Sequence, residues 1–293
     1  MITTPIYTMT DFLDLFSWGT LCFILIALVI LVGAKLLNKA LSRYRLDHEL
    51  TEEDNAAVAV SFGGFLLALC IVLHGVLLAP SARQSLGADL LNTAIWSAGA
   101  VVLLIVARVI NDRLILPRFR NHDQLVKGRN VGVGCAQAGG YIATALILKG
   151  LIMAELTYPS GQALLQTLLW FAAGQALFIV FALVYEKLFT SYCLHSELER
   201  NNVAAGVSFG GDLVALGIIL SYYVRYYDNM LGLLLWAVIA MVFLRLVRVV
   251  IDKLILPRQP LDREISEDQN WGAGFIEACA SIGLALLITG ILA

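Results

Sequence analysis

Eight apolar runs divide the chain, at roughly 15–37, 56–79, 90–112, 131–153, 163–186, 203–224, 230–252 and 271–292, with short polar or Pro/Gly-marked segments between them. Each run reaches the about 20 residues an α-helix needs to cross a hydrocarbon core. An open sheet could not satisfy its backbone in lipid, so every run reads as a spanning helix. The alternating strands of about ten residues that mark a membrane barrel are missing. The pattern predicts an all-α integral membrane protein with eight transmembrane helices.

The polar positions repeat. Asn55 to Leu69 reads NAAVAVSFGGFLLAL and Asn202 to Leu216 reads NVAAGVSFGGDLVAL. Val102 to Arg118 matches Val242 to Arg258, with Arg108/Arg248, Asp112/Asp252 and the LILPR ending in register. Asn130-Val-Gly-Val-Gly134 aligns with Asn270-Trp-Gly-Ala-Gly274. Apolar composition alone would not place Arg, Asp, Pro and Asn in step, so the chain is two four-helix units, 1–154 and 155–293. Each unit has an even number of helices, so both enter the membrane from one side. The expectation is two parallel repeats with pseudo-twofold symmetry about an axis along the membrane normal.

Charge sets the orientation. Only 14% of residues are charged and 59% are hydrophobic, about half the charged share of a soluble domain. Fourteen Lys and Arg lie in or beside the loops after the first, third, fifth and seventh runs, against Arg83, Lys149 and Arg225 on the other side. The positive-inside rule then places those loops in the cytoplasm and both termini outside. Met1 to Asp14 has no Lys or Arg and carries Asp11 and Asp14, which argues for a retained first helix rather than a cleaved signal. No basic run interleaved with aromatics suggests nucleic acid. The five cysteines form no CxxC and four sit in apolar runs, so they read as small buried hydrophobes.

Asn55 and Asn202 stand where they can cap spanning helices, as do Asn130 and Asn270. Ser196-x-x-Glu199 fits a capping box. The Asn-x-Ala-x-x-x-Ser-Phe-Gly-Gly segment and the later Asn-x-Gly-x-Gly helix resemble a bacterial inner-membrane family designated domain of unknown function 350, which includes YjfL-like proteins. Its typical members are one four-helix unit, and this chain resembles two fused. The resemblance implies the membrane fold and an inner-membrane location, and an association with membrane-stress and polyamine-linked proteins. It implies no catalytic residue. A fused pair also suggests that single units work as pairs, so partners would be the lipid bilayer, a homo-oligomer or other membrane-stress proteins.

Gly63-Gly64 and Gly210-Gly211, with Gly206-x-x-x-Gly210, read as helix-packing contacts. Arg108 and Asp112, like Arg248 and Asp252, are spaced i, i+4, which suits an ion pair along one helix. The two units differ where Phe65 becomes Asp212, Ile105 becomes Arg245 and Gln137 becomes Glu277. At about 1.5 Å per residue, these three fall at similar depth. Ionisable groups there usually face the interior and pair, so Asp212, Arg245 and Glu277, joined by Arg248, are expected to form a network that is either a structural lock or a cation or proton site. His74, His48 and His195 read as interfacial or loop residues rather than metal ligands. No Walker loop, GxSxG, HExxH or dinucleotide turn occurs, so neither enzyme chemistry nor a cofactor is expected. The leading functional reading is a small-ion or small-solute channel or transporter, and the alternative is a non-transporting scaffold or sensor.

Overall fold

The computed structural model describes residues 18–41, 44–79, 85–154 and 160–292, and among these there is no strand. Asp11, Asp14, Arg83 and the joint after residue 154 lie outside the described residues. The long helices are α1 (Trp18–Leu41), α3 (Ala56–Leu78), α4 (Leu86–Ile110), α6 (Val131–Ile152), α7 (Ser160–Val184), α9 (Val203–Tyr226), α10 (Met230–Val250) and α12 (Trp271–Leu292). All eight are long and apolar enough to cross a membrane. Four short helices, α2 (Leu46–Thr51), α5 (Asn121–Val126), α8 (Leu194–Glu199) and α11 (Leu261–Ser266), precede α3, α6, α9 and α12. Helices α4, α7 and α10 each end in one π-helical turn, at Asn111–Ile115, Tyr185–Phe189 and Ile251–Ile255.

One local device recurs four times. A short helix is closed by a residue in the left-handed region, Asp54, Arg129, Asn201 or Gln269, and the next residue is Asn55, Asn130, Asn202 or Asn270. The asparagine side-chain oxygens accept from Ala57 N and Val58 N, Val133 N, Ala205 N, and Gly272 N and Ala273 N. These bonds fill orphan donors at the start of each helix. The capping box at Ser196 does not form: Ser196 lies inside α8, whose N-cap is Cys193. The short helix begins earlier than the motif implies because Leu194 and Leu198 bury one face of it.

Helices α3, α6, α9 and α12 stand side by side in a row. Small residues let their backbones touch. A Cβ added to Gly64 would lie 2.3 Å from Ala138 Cβ, one on Gly139 would lie 2.4 Å from Gly210 Cα, and one on Gly211 would lie 2.3 Å from Ala278 Cβ. Gly134, Gly206 and Gly274 likewise abut the carbonyls of Ala57, Gly132 and Ala204. The contacting pairs advance together along both helices, so neighbours in the row run in one direction. Without a hydrophobic driving force in lipid, such close approach is what holds spanning helices together. Gly63 departs from the packing expectation: it is exposed, and a Cβ there would meet nothing within 4 Å. It faces off the end of the row. The flanking helices turn leucines outward, Leu25 on α1 and Leu231 and Leu235 on α10 among them, as a lipid-facing surface requires.

Candidate functional site: a buried charge cluster

The second half carries a compact polar cluster built from five elements. The last turn of α10 supplies Arg248, α12 supplies Glu277, and α9 supplies Ser208 and Asp212. The π turn after α7 supplies Tyr185, and α11 supplies Asp262. Arg248 Nη1 pairs with Glu277 Oε1, and its Nη2 donates to Asp262 Oδ1 at 2.6 Å. Ser208 Oγ donates to Glu277 Oε2 at 2.6 Å and lies 3.0 Å from Tyr185 Oη. Arg248 Nη1 also reaches Tyr185 Oη at 3.4 Å. Asp212 sits beside Ser281 and Tyr185. Glu277 is 0% exposed, and Asp212 and Arg248 are 2% exposed. Asp262, whose Oδ2 accepts from Ser191 N at 2.8 Å, keeps a quarter of its side chain open at the loop end.

Two carboxylates thus hold one guanidinium, and a third carboxyl group, Asp212, lies nearby without bonding to it. Buried charges persist only when paired and hydrogen-bonded, and one Arg cannot balance three carboxylates. The charge balance leaves room for a proton. Among the described residues, no group of three or more His, Cys, Asp or Glu could hold a metal ion.

Arg245 stays outside this cluster. It is exposed, with Nη1 3.4 Å from the Phe189 carbonyl. Its depth matches that of Asp212 and Glu277, but three residues short of Arg248 places it about 60° round the helix. That turns the stem toward lipid, along which a long basic side chain can lie. The Arg248–Asp252 pair does not form either. Asp252 falls in the π turn and accepts from Leu261 N at 2.7 Å, fixing the start of α11, while Arg248 turns inward.

The first half builds the same place with Gln137 and Phe65 where the second has Glu277 and Asp212, and it keeps one carboxylate, Asp112. Gln137 Oε1 accepts from Ser61 Oγ at 2.6 Å, and its Nε2 donates to Asp112 at 2.7 Å. Asn121 also donates to Asp112 at 2.7 Å. Arg108 lies near Asp112, Tyr44 and Tyr141, and Phe65 packs edge-on to Tyr141. Ser61 and Ser208 belong to the repeated Ser-Phe-Gly-Gly segment, which was a readable signal for a shared polar position. Tyr185 and Asp262 had none, because neither has a like residue in the first half. Of the histidines, His195 is buried with Nδ1 2.6 Å from Glu186 Oε1, and His48 is partly exposed beside Glu52.

The asparagines do more than cap. Asn55 Nδ2 donates to Glu49 Oε2 and to the Leu125 carbonyl, Asn130 Nδ2 to Gln124 Oε1 and the Leu198 carbonyl, and Asn202 Nδ2 to Glu197 Oε2 and the Ile265 carbonyl. Each ties its own short helix to the next one in the row. Asn270 Nδ2 donates to Glu264 Oε2 on the exposed end. Asn202→Ala should therefore cost about 3 kcal/mol, a lost cap plus stranded buried acceptors. Asn270→Ala should cost only about 1 kcal/mol, the cap alone. Melting of both variants in detergent checks this, and equal losses would contradict it.

At the other end of the same helices, α6, α9 and α12 enclose a cavity of about 320 Å³. Lys149, Ser221, Arg225 and Thr289 line it, and the Arg225 guanidinium stands 5.0 Å over the Tyr226 ring.

The family described as Domain of Unknown Function (DUF350) matches residues 6–152 and again residues 159–292. The UPF0719 transmembrane protein YshE of Bacillus subtilis (strain 168) is 28% identical over 110 residues, 38% of this chain and 80% of that protein. A UPF0719 transmembrane protein of Aquifex aeolicus (strain VF5) is 24% identical over 168 residues, 56% of this chain and 60% of its own length. No solved structure matches.

Proposed function

The chain belongs to the DUF350 family as two tandem copies, and on that premise we propose that it passes protons, or small cations, across a bacterial inner membrane through its second copy. The observation that carries this reading is the cluster of Asp212, Glu277 and Asp262 around Arg248. Intramembrane ionisable groups are costly and mark ion or proton paths. The cluster runs from the loop end at Asp262 to Asp212, nearly halfway along α9. The cavity around Lys149 and Arg225 opens from the opposite end between α9 and α12. Nine residues of α9, about 13 Å, separate Asp212 from Ser221, and Leu216 and Leu220 there are buried. That stretch is the gate that must admit water. The repeats, taken as 1–154 and 155–293, would divide the labour: the first holds the fold and the second the charge.

Proton flux into liposomes carrying the purified protein, driven by an imposed potential, tests this. Asp212→Phe copies the first half, and it should fold while flux falls at least tenfold. Unchanged flux in a folded Asp212→Phe would reject the proposal. A second reading rests on the backbone-tight row of α3, α6, α9 and α12, which seals the bundle as a scaffold would. Wild-type protein with no flux above empty liposomes would favour it.

The fourteen basic residues near one set of loops support termini outside the cytoplasm. A reporter fused after Ala293 should be active on the periplasmic side, and one inserted near Asp123 active in the cytoplasm. The reverse pattern would invert the assignment.

A further inference from the structure

The row α3–α6–α9–α12 is joined three times by one plan, and both of its ends display that plan without a neighbour. On α6, Gly132, Gly139 and Ala143 face α9, where Gly206, Gly210 and Gly217 receive them. The repeat maps the α6 set onto Gly272, Cys279 and Gly283 of α12, and the α9 set onto Ala59, Gly63 and Cys70 of α3. All six are small and none is buried. A Cβ on Gly63 or Gly283 would meet nothing, and one on Gly272 would meet only Asn270 of its own turn.

We propose that a second copy of this chain docks head to tail, the outer face of α12 in one copy against the outer face of α3 in the next, repeating the α6–α9 contact. The pairing is complementary. Gly139/Gly210 becomes Cys279/Gly63, Ala143/Gly217 becomes Gly283/Cys70, and Gly132/Gly206 becomes Gly272/Ala59. Every pair keeps one glycine and sets a small residue against it, as close backbone packing in a membrane needs.

The asparagine ties give a second, independent indication. Asn55, Asn130 and Asn202 each donate to the carbonyl of the following short helix, at Leu125, Leu198 and Ile265. Asn270 ends the series at an exposed surface. The matching carbonyl of the first short helix, Leu50, receives none of the four asparagines. Docking head to tail brings Asn270 Nδ2 of one copy to Leu50 O of the next and completes the series. Trp271 and Phe275, 63% and 53% exposed, flank this edge and would be covered. Such a heterologous contact makes a ring where its rotation closes and an open row where it does not.

Cross-linking decides the matter. A Cβ on Gly217 would stand 3.1 Å from Ala143 Cβ, near the roughly 3.5–4.5 Å Cβ separation of a disulfide, so the mapped pair Gly283 and Cys70 should bond if both are cysteine. The full chain is made with Cys22, Cys135, Cys193 and Cys279 replaced by alanine, Cys70 kept and Gly283→Cys added. Oxidation in membranes should give a disulfide ladder on gels that reductant collapses. Adding Cys70→Ser should abolish the ladder. A ladder no stronger than from Leu287→Cys, an outward position on the same helix, would overturn the proposal. So would dimers that survive Cys70→Ser, which would mean tail-to-tail packing. Should the replacements prevent folding, native mass spectrometry of the wild type in nanodiscs should show assemblies, and Gly63→Leu should reduce them to single chains. Wild-type monomers, or assemblies unaffected by Gly63→Leu, would equally overturn it.

Discussion

Arg248→Leu should destabilise the folded protein by about 3–5 kcal/mol, the usual cost of stripping one partner from a buried ion pair. Its guanidinium holds Glu277 and Asp262 at once, and Glu277 has no access to water. Arg245→Ile should change stability by no more than about 0.5 kcal/mol, as surface substitutions do, because Arg245 is exposed. Adding Glu277→Gln to Arg248→Leu should recover much of the loss, since the neutral amide already serves at Gln137 in the first half, bonded to Ser61 and Asp112. Denaturant unfolding of the detergent-solubilised protein measures all three. A harmless Arg248→Leu, or an Arg245→Ile as damaging as it, would show that the cluster is wrongly assigned.

Gly210→Leu should abolish most of the folded yield, and Gly63→Leu should leave the folded yield of the single chain intact. The two occupy matching positions, yet a Cβ on Gly210 would lie 2.6 Å from the Cys135 carbonyl while one on Gly63 meets nothing. Overpacking costs about 1–3 kcal/mol where side chains can yield, and here the obstacle is backbone that cannot. Gly206→Leu should be as severe, its Cβ being directed at the Gly132 carbonyl. Yield of monodisperse protein after size-exclusion chromatography distinguishes these cases. Equal yields for Gly63→Leu and Gly210→Leu would remove the row of touching backbones from the account.

The spanning helices were legible because a twenty-residue apolar run has one structural solution in lipid. The observed bounds Ala56–Leu78 and Trp271–Leu292 fall within a residue of the runs, whereas Trp18–Leu41 and Leu86–Ile110 are displaced from theirs by up to four residues. The four short helices were not legible. Six residues give too few turns for a periodic signal, and each short helix is anchored by no more than a pair of buried apolar side chains, such as Leu194 and Leu198. Depth was readable from sequence, because rise per residue is fixed, and it brought Asp212 and Glu277 to one level. Depth without azimuth does not separate Arg245 from Arg248, one turn apart on α10: Arg248 faces inward and Arg245 outward. The π turns hid a second feature: a single extra residue per turn moves Asp252 off the line to Arg248, and no residue type marks it.

The account rests on a carboxyl group at Asp212 that exchanges its proton with the solution through the cluster around Arg248. Infrared difference spectra of the protein in membranes, taken across pH and against Asp212→Asn, measure this directly. The account predicts a carboxyl band, absent from the variant, that changes amplitude with pH and shifts in deuterated buffer. A band at Asp212 that neither titrates nor exchanges would contradict it and leave the cluster a static lock.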